Sequence, residues 1–198
     1  MKFNILTLLF SFALISLSGC ASTFDVLTSP ISDQPRFYAL SSLPPSNANN
    51  KNLRIGVGPL EIPRLLNRPQ IVSRKNSAEV IMSEQHQWGG SYKEELIQTL
   101  TDNLSSLLKT ENIEVHPWKF SFKPAYQVRI NIERFDGEVG KSVTLKARWR
   151  LLRSNKEILV KRAVIETAVK GKSYTDYIKA HSQTLATFSQ QIAKHIKQ

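Results

Sequence analysis

Apolar residues recur along this chain with two spacings, and each spacing predicts a kind of element. Between 91 and 109 they fall at Tyr92, Leu96, Ile97, Leu100, Leu104, Leu107 and Leu108, threes and fours that draw one stripe along a helix. Ser91 is placed to cap it, and Glu94 three residues on completes a capping box. From Tyr126 the period becomes two. Tyr126, Val128, Ile130 and Ile132 alternate with Gln127, Arg129, Asn131 and Glu133, and Val143, Leu145, Ala147, Trp149 and Leu151 alternate with Thr144, Lys146, Arg148 and Arg150. Each strand therefore keeps one wet face.

Asp136-Gly137 and Gly140 suit the hairpin loop between these strands, and Ser154-Asn155-Lys156 suits a tight turn into a third strand over 157–170. In that strand Ile158 and Val160 share one parity while Ala163, Ile165 and Val169 share the other, which predicts a bulge near Lys161 and Arg162. After Gly171, a second helical stripe of Tyr177, Ile178, Leu185, Phe188, Ile192 and Ile196 runs through 173–197. Shorter strands are predicted at 36–40, 53–60, 70–74, 79–83 and 113–118, with a surface loop over 41–52 and an irregular stretch between Pro63 and Pro69. The predicted fold class is α/β, a single domain with a mixed, mostly antiparallel sheet packed against two long amphipathic helices.

Residues 1–35 carry a different message. Lys2 precedes an apolar run from Ile5 to Leu17, too short for a stable bilayer span and suited to a signal-peptide core. The run ends in Leu17-Ser18-Gly19-Cys20, which resembles the bacterial lipobox. Cleavage between Gly19 and Cys20 would leave Cys20 first in the mature chain, its sulfur carrying a diacylglyceryl group. The alternatives are a free cysteine buried behind an N-terminal helix, or an uncleaved anchor. On the lipobox reading, 1–19 is a signal peptide and 20–35 a lipidated tether with a reach of roughly 50 Å when extended. Two or three acyl chains give lasting attachment where one holds marginally. By resemblance to enterobacterial sorting rules, in which aspartate after the cysteine retains a lipoprotein in the inner membrane, Ala21 implies lipid anchoring at the outer membrane, facing the periplasm.

Composition narrows the function classes. The 198 residues are 41% hydrophobic and carry 27 Lys and Arg against 16 Asp and Glu, a formal charge of +11, so anionic surfaces are natural partners. Cys20 is the single cysteine, which excludes an internal disulfide or a multi-cysteine metal site. Gly56-Val57-Gly58 runs into Pro59 with no helix N-terminus behind it, so the phosphate-loop reading fails. Glu84-x-His86 supplies too few donors for a metal, and Asp176 and His181 stand five apart with no nucleophile beside them. His181 instead falls on the apolar stripe and reads as a core histidine. The chain is thus expected to be non-enzymatic and to need no cofactor or metal.

One basic patch emerges from the pattern. Arg129, Lys146, Arg148 and Arg150 share the wet face of the hairpin, with Arg162 as a further candidate; they form either a solvated sheet face or a site for anionic headgroups or an acidic protein. Nucleic acid is not an expected partner, because the exported location disfavours it and Trp149 points to the opposite, core side.

The stretch from Val57 to Arg74, reading VGPLEIPRLLNRPQIVSR, resembles the PqiC family of ABC-type transport auxiliary lipoproteins. The likeness continues through Asn76 to Val80, through Glu84-Gln85-His86-Gln87-Trp88, and through Asn103-Leu104, with Phe37-Tyr38-x-Leu40 upstream; the C-terminal third matches mainly in pattern. Gly89-Gly90 and Tyr92 depart from the family's usual residues at the start of the helix. The resemblance makes 36–198 a PqiC-like domain. It implies a non-catalytic part of an MCE-type (paraquat-inducible, membrane-integrity) lipid transport system. The partners so implied are an MCE-domain PqiB-like protein, a PqiA-like inner-membrane protein and membrane lipid reached through acylated Cys20, with a homo-oligomer matched to the conduit. A lipid-binding carrier and an envelope structural lipoprotein are the alternatives.

Within the resemblance, Arg68, Pro69, Gln70, Glu84, His86 and Trp88 are the candidate partner-binding residues. Pro69 biases Arg68 toward an extended backbone. The other reading of Arg68 is a β-edge turn paired to Glu79 or Glu84. Trp88 is either a plug between helix and sheet or an exposed docking aromatic.

Overall fold

The computed structural model describes residues 34–196, which hold eight strands and two helices. The predicted signal peptide, the cleavage site Gly19-Cys20 and nearly all of the tether lie outside the described residues. In chain order the strands are β1 (Arg36–Tyr38), β2 (Ile55–Glu61), β3 (Gln70–Arg74), β4 (Val80–Trp88), β5 (Ile113–Val115), β6 (Tyr126–Glu138), β7 (Ser142–Arg153) and β8 (Lys156–Ala168). Helix α1 (Tyr92–Leu108) separates β4 from β5, and α2 (Tyr174–Ile196) closes the chain.

The α/β class stands, but the strands divide between two mixed sheets. One has the order β1-β4-β3 and the other β5-β2-β6-β7-β8. In the larger sheet β2 runs parallel to both β5 and β6, while β6, β7 and β8 form the antiparallel meander. Both helices cover one face of this sheet, α1 over β2 and β5, α2 over β7 and β8. The seam is filled by residues of alternating parity on the strands and by the helical stripes: Val57, Leu145, Trp149, Leu100, Leu104 and Phe188 are all 0–1% exposed. The alternation that predicted one wet and one dry face is thus realised on β6 and β7.

Local chemistry explains the element ends. Ser91 Oγ accepts the Glu94 N–H at 3.4 Å, and α1 stops where Lys109 takes a left-handed conformation (φ 54°). At α2, Ser173 and Asp176 form a reciprocal cap: Asp176 N–H donates to Ser173 Oγ at 3.1 Å, and Ser173 Oγ–H donates to Asp176 Oδ2 at 2.6 Å. The Ser173 hydroxyl, joined by the Ser173 N–H at 3.3 Å from the same oxygen, holds the Asp176 carboxyl below its ordinary pKa. Ser154 and Asn155 both have positive φ, 47° and 65°, as a two-residue hairpin turn matching strand twist requires.

The hairpin loop and the bulge differ from expectation. Asp136 and Gly137 lie inside β6, opposite Thr144 and Val143, and the turn is the three residues after Glu138 with Gly140 at φ 82°. An extra residue at Glu133 shifts the register between Ile132 and Arg134, which lets the strand continue past the point where its simple alternation ends. In β8 the register shift falls beside Ile158, between the pairs Leu151↔Leu159 and Leu152↔Glu157, and the strand passes Lys161 and Arg162 without a break. Ile158, Val160 and Val164 stay on the outer side, 53%, 48% and 62% exposed. The hydrophobicity of Ile158 and Val160, which suggested an inward parity, is spent on the open face.

The predicted loop over 41–52 is a strap bound to the helices. Leu40 N–H donates to Glu95 Oε2 (3.2 Å), Ser41 N–H to Ser182 Oγ (3.0 Å) and Leu43 N–H to Asn103 Oδ1 (2.7 Å). A chain with no strand partner thereby satisfies these backbone donors through helix side chains. Burial raises the Glu95 carboxyl above its ordinary pKa, and the Leu40 N–H opposes that rise.

Candidate functional site

The irregular stretch before β3 is built from turns closed by Leu66 N–H to Pro63 O (3.0 Å), Asn67 N–H to Arg64 O (3.2 Å) and Arg68 N–H to Leu66 O (3.0 Å), with Leu66 buried beneath them. Trp88 N–H donates to Pro69 O at 2.8 Å, and Gln70 stands opposite Gln87. All six candidate residues thus come together along the β3–β4 hairpin. Their environments divide them into two groups.

Trp88 and His86 belong to the interior side. Trp88 is 4% exposed and stacks on Tyr92 with ring centroids 4.2 Å apart; it is the plug between sheet and helix and offers no docking surface. His86 is clamped between two rings of other elements. Its Nδ1 lies 2.8 Å from Tyr38 Oη, and its ring stacks on Tyr174 at 3.8 Å and 13°. Burial first, and the nearby Arg36 second, lower its pKa, so its neutral form is favoured.

Arg68, Gln70 and Glu84 remain accessible on the other side. Arg68 does not pair with Glu79 or Glu84: its Nη1 contacts Met82 Sδ across the hairpin, and Glu79 pairs with Lys75 at 3.4 Å. Glu84 contributes its carbonyl to Gln87 Nε2 (3.0 Å), leaving its carboxylate in solvent. Beside Arg68, Met82 is 42% exposed; Ile81, also 42% exposed, precedes it in the strand and points to the opposite face. The result is a small strip with a cation, an amide, an acid and one apolar side chain.

The basic face assembles as the alternation predicted. Arg129 stands directly opposite Arg150, and Arg148 opposite Arg162. Cross-strand like charges of this kind repel, and two glutamates answer them: Glu133 takes Arg162 (2.7 Å) and Arg148 (3.7 Å), and Glu157 takes Arg150 (3.0 Å). Among the described residues Arg129 finds only Gln127 Oε1, at 3.4 Å, and Lys146 has no acidic partner. An open groove of about 530 Å³ lies here, lined by Pro59, Glu61, Arg129, Asn131, Arg148 and Arg150.

Sequence reasoning missed the junction beneath the hairpin. Asp136, 2% exposed, accepts Nε–H bonds from Arg74 (2.7 Å) and Arg134 (2.6 Å). Next to it, the Tyr177 hydroxyl accepts the Gly137 N–H (2.8 Å) and reaches Val72 O (3.1 Å) and Gly137 O (3.2 Å). Burial and Asp136 push the Tyr177 hydroxyl far above its ordinary pKa. His181, 1% exposed, holds Nδ1 3.0 Å from Tyr177 O and packs on Phe135 and Trp88. Burial lowers its pKa to about 4, against the smaller pull of the backbone carbonyls. Reading Asp136 as a loop residue hid this cluster, and the bulge at Glu133 is the reason.

Residues 38–193 match the ABC-type transport auxiliary lipoprotein component family. The chain belongs to that family. In solved structures, this lipoprotein is similar to a crystal structure of a protein described only as uncharacterized, with TM-score 0.69, 20% identity, and 82% of this chain covering 99% of that one. It is also similar to a protein of Xanthomonas campestris assigned to the DUF330 family, with TM-score 0.64, 14% identity, and coverage of 80% and 92%. At these identities the likeness is one of fold. No protein of curated function matches the chain. Among the described residues of the lipoprotein no helix is long and apolar enough to cross a membrane.

Proposed function

We propose that this lipoprotein is a non-catalytic component of an MCE-type lipid transport system, anchored at the outer membrane through acylated Cys20 and facing the periplasm. It docks the distal end of a conduit formed by an MCE-domain PqiB-like protein, which works with a PqiA-like inner-membrane protein. A ring of copies matched to the conduit completes the reading. Membership of a transport auxiliary lipoprotein family over nearly the whole described domain is the observation that carries it.

The docking surface within this proposal is the accessible side of the β3–β4 hairpin. Arg68 with Met82 has the composition of an interface centre, where Arg and Met are enriched, and Gln70 and Glu84 supply a polar rim. Trp88 and His86 act behind it, fixing the hairpin on the helices. The carrier alternative calls for an apolar cavity between sheet and helices. That seam is packed with Trp149, Phe188, Leu100 and Leu104, so the docking reading is preferred.

Crosslinking in intact cells followed by identification of the captured protein tests the partner. Recovery of an MCE-domain protein, lost on Arg68→Glu, supports docking by this strip; undiminished recovery removes the strip from the interface. Intact mass of the purified chain tests the anchor separately, since a chain retaining 1–19 without acyl groups would end the lipoprotein proposal.

A further inference from the structure

Between β5 and β6 the chain reads His116-Pro117-Trp118-Lys119-Phe120-Ser121-Phe122-Lys123-Pro124, and the structure turns it into a fixed prong. Phe122 N–H donates to Lys119 O at 2.9 Å, closing a turn with Phe120 and Ser121 at its apex. Lys119 N–H reaches Glu114 Oε2 at 3.4 Å. Trp118 anchors the base: it lies so close over Gly56 that a Cβ there would sit 2.6 Å from its ring, and it meets His116 and Phe122 edge-on at 5.3 and 6.2 Å. On this base Phe120 stands 99% exposed between Lys119 and Lys123. A whole phenyl ring in water on an anchored turn is an unspent apolar contact.

Alternation fixes where the prong lies. Gly56 sits between Ile55 and Val57, both 0% exposed, so its outward side is the face opposite the helices. Gly56 pairs with Gln127, two residues before Arg129, and Arg129 pairs with Arg150. The aromatic prong and the arginine rows therefore share one face of the five-stranded sheet. Val160 and Val164 of the edge strand, with Arg162 between them, lie on that face as well. Residues 126–168 hold ten Lys and Arg against five Asp and Glu.

We propose that this face lies on an anionic phospholipid surface, with Phe120 inserted among the headgroups and Lys119, Lys123, Arg129 and Lys146 set against lipid phosphates. An aromatic ring flanked by lysines is suited to the water–hydrocarbon boundary, where the ring and the lysine stems enter and the ammonium groups stay wet. Two features favour a membrane over a second copy of the chain. Lys161 and Arg162 occupy the middle of the open edge of β8, so two-fold pairing of two such edges would set cation against cation. The tether from Cys20 to Gln34 would also hold an anchored domain within roughly 50 Å of a bilayer, a permanently high local concentration of this one partner. The inference does not depend on which protein docks at the β3–β4 hairpin.

The test uses the acylated full-length mature chain in vesicles. With Cys20 blocked by its thioether, Ser121→Cys becomes the single free thiol and takes an environment-sensitive fluorophore beside Phe120. Vesicles of phosphatidylcholine with about a third phosphatidylglycerol should shift its emission to the blue and allow quenching by brominated phospholipid, while pure phosphatidylcholine should give a much smaller shift. Each of Lys123→Gln and Arg129→Gln should lower the docked-to-free ratio about fivefold, and Phe120→Ser about tenfold. The same label at Lys179→Cys, on α2, should stay in water. No shift on anionic vesicles, or an equal shift at position 179, would overturn the proposal. A shift that grows with protein concentration without vesicles would replace the membrane by a second copy. A purified chain whose mass lacks the acyl groups would defeat the anchor and not this face, which flotation of that chain with the same vesicles would then read.

Discussion

Arg74 Nε donates to Asp136 Oδ1 at 2.7 Å across 62 residues of sequence, and the bond ties the three-stranded sheet to the five-stranded one. Arg134 shares the same oxygen, so one buried carboxylate holds two guanidinium groups that are 20% and 30% exposed. The carboxylate is desolvated, and its two partners are what make its charge tolerable there.

Replacing Asp136 by Ala therefore leaves two partly buried arginines facing each other. Urea unfolding should show a loss of about 3 kcal/mol, and Asp136→Asn should lose less because its oxygen still accepts one bond. A change below about 1 kcal/mol for Asp136→Ala would mean that the two sheets are held together elsewhere.

Gly137 sits where a Cβ would come within 1.9 Å of Ser142 O and 2.7 Å of Val143 Cα. Both are backbone atoms of the paired strand, so no rotamer change relieves the contact. Gly137→Ala should cost about 3 kcal/mol or more, seen as a fall in thermal midpoint. Gly56→Ala meets only the Trp118 side chain; it should cost about 1 kcal/mol and free the 116–124 prong, read as faster amide exchange in that segment.

The strap over the helices depends on Asn103. Its Oδ1 accepts the Leu43 N–H, and its Nδ2 lies 3.3 Å from Ser189 Oγ on α2. Asn103→Leu leaves the Leu43 N–H with no acceptor and should destabilise by about 2 kcal/mol, with amide exchange rising first at 41–46. Uniform protection across that segment in the variant would show that the strap is held without this bond.

His181 sets an acid dependence of stability. Its folded pKa is about 4 against the ordinary 6.5, so the unfolded chain binds the proton more readily. Stability from keeping it neutral is complete above pH 6.5 and is lost as pH falls toward 4. The loss should reach about 2 kcal/mol by pH 5 relative to pH 8. In His181→Gln the unfolding free energy should be flatter over that range; an unchanged slope would assign the dependence to another group.

The two long helices, the β6–β7–β8 meander and the tight turn at Ser154-Asn155-Lys156 were legible because each depends on neighbours within a few residues: a 3.6-residue stripe, a period of two, a cluster of turn-forming residues. The basic face was legible for the same reason. The inward reading of Ile158 and Val160 failed because hydrophobic identity shows preference and not occupancy, and the side of the edge strand turned away from α2 has no core to offer. Asp136 was misplaced because one extra residue at Glu133 reverses the parity of everything after it. Phe120 drew no notice as a position in a short, proline-bounded loop, since only the turn geometry shows that nothing covers it.

The order of hydrophobic and polar residues determined by itself where the two long helices and the meander strands fold and which of their faces stay dry. These follow from forces acting between residues close in sequence. Tertiary structure alone decided that the strands divide into two sheets, that Trp88 and His86 serve the core while Arg68 and Glu84 stay outside, and that Asp136 joins elements far apart along the chain. Burial and charge pairing across such distances depend on what the rest of the chain brings alongside, and no local pattern encodes that.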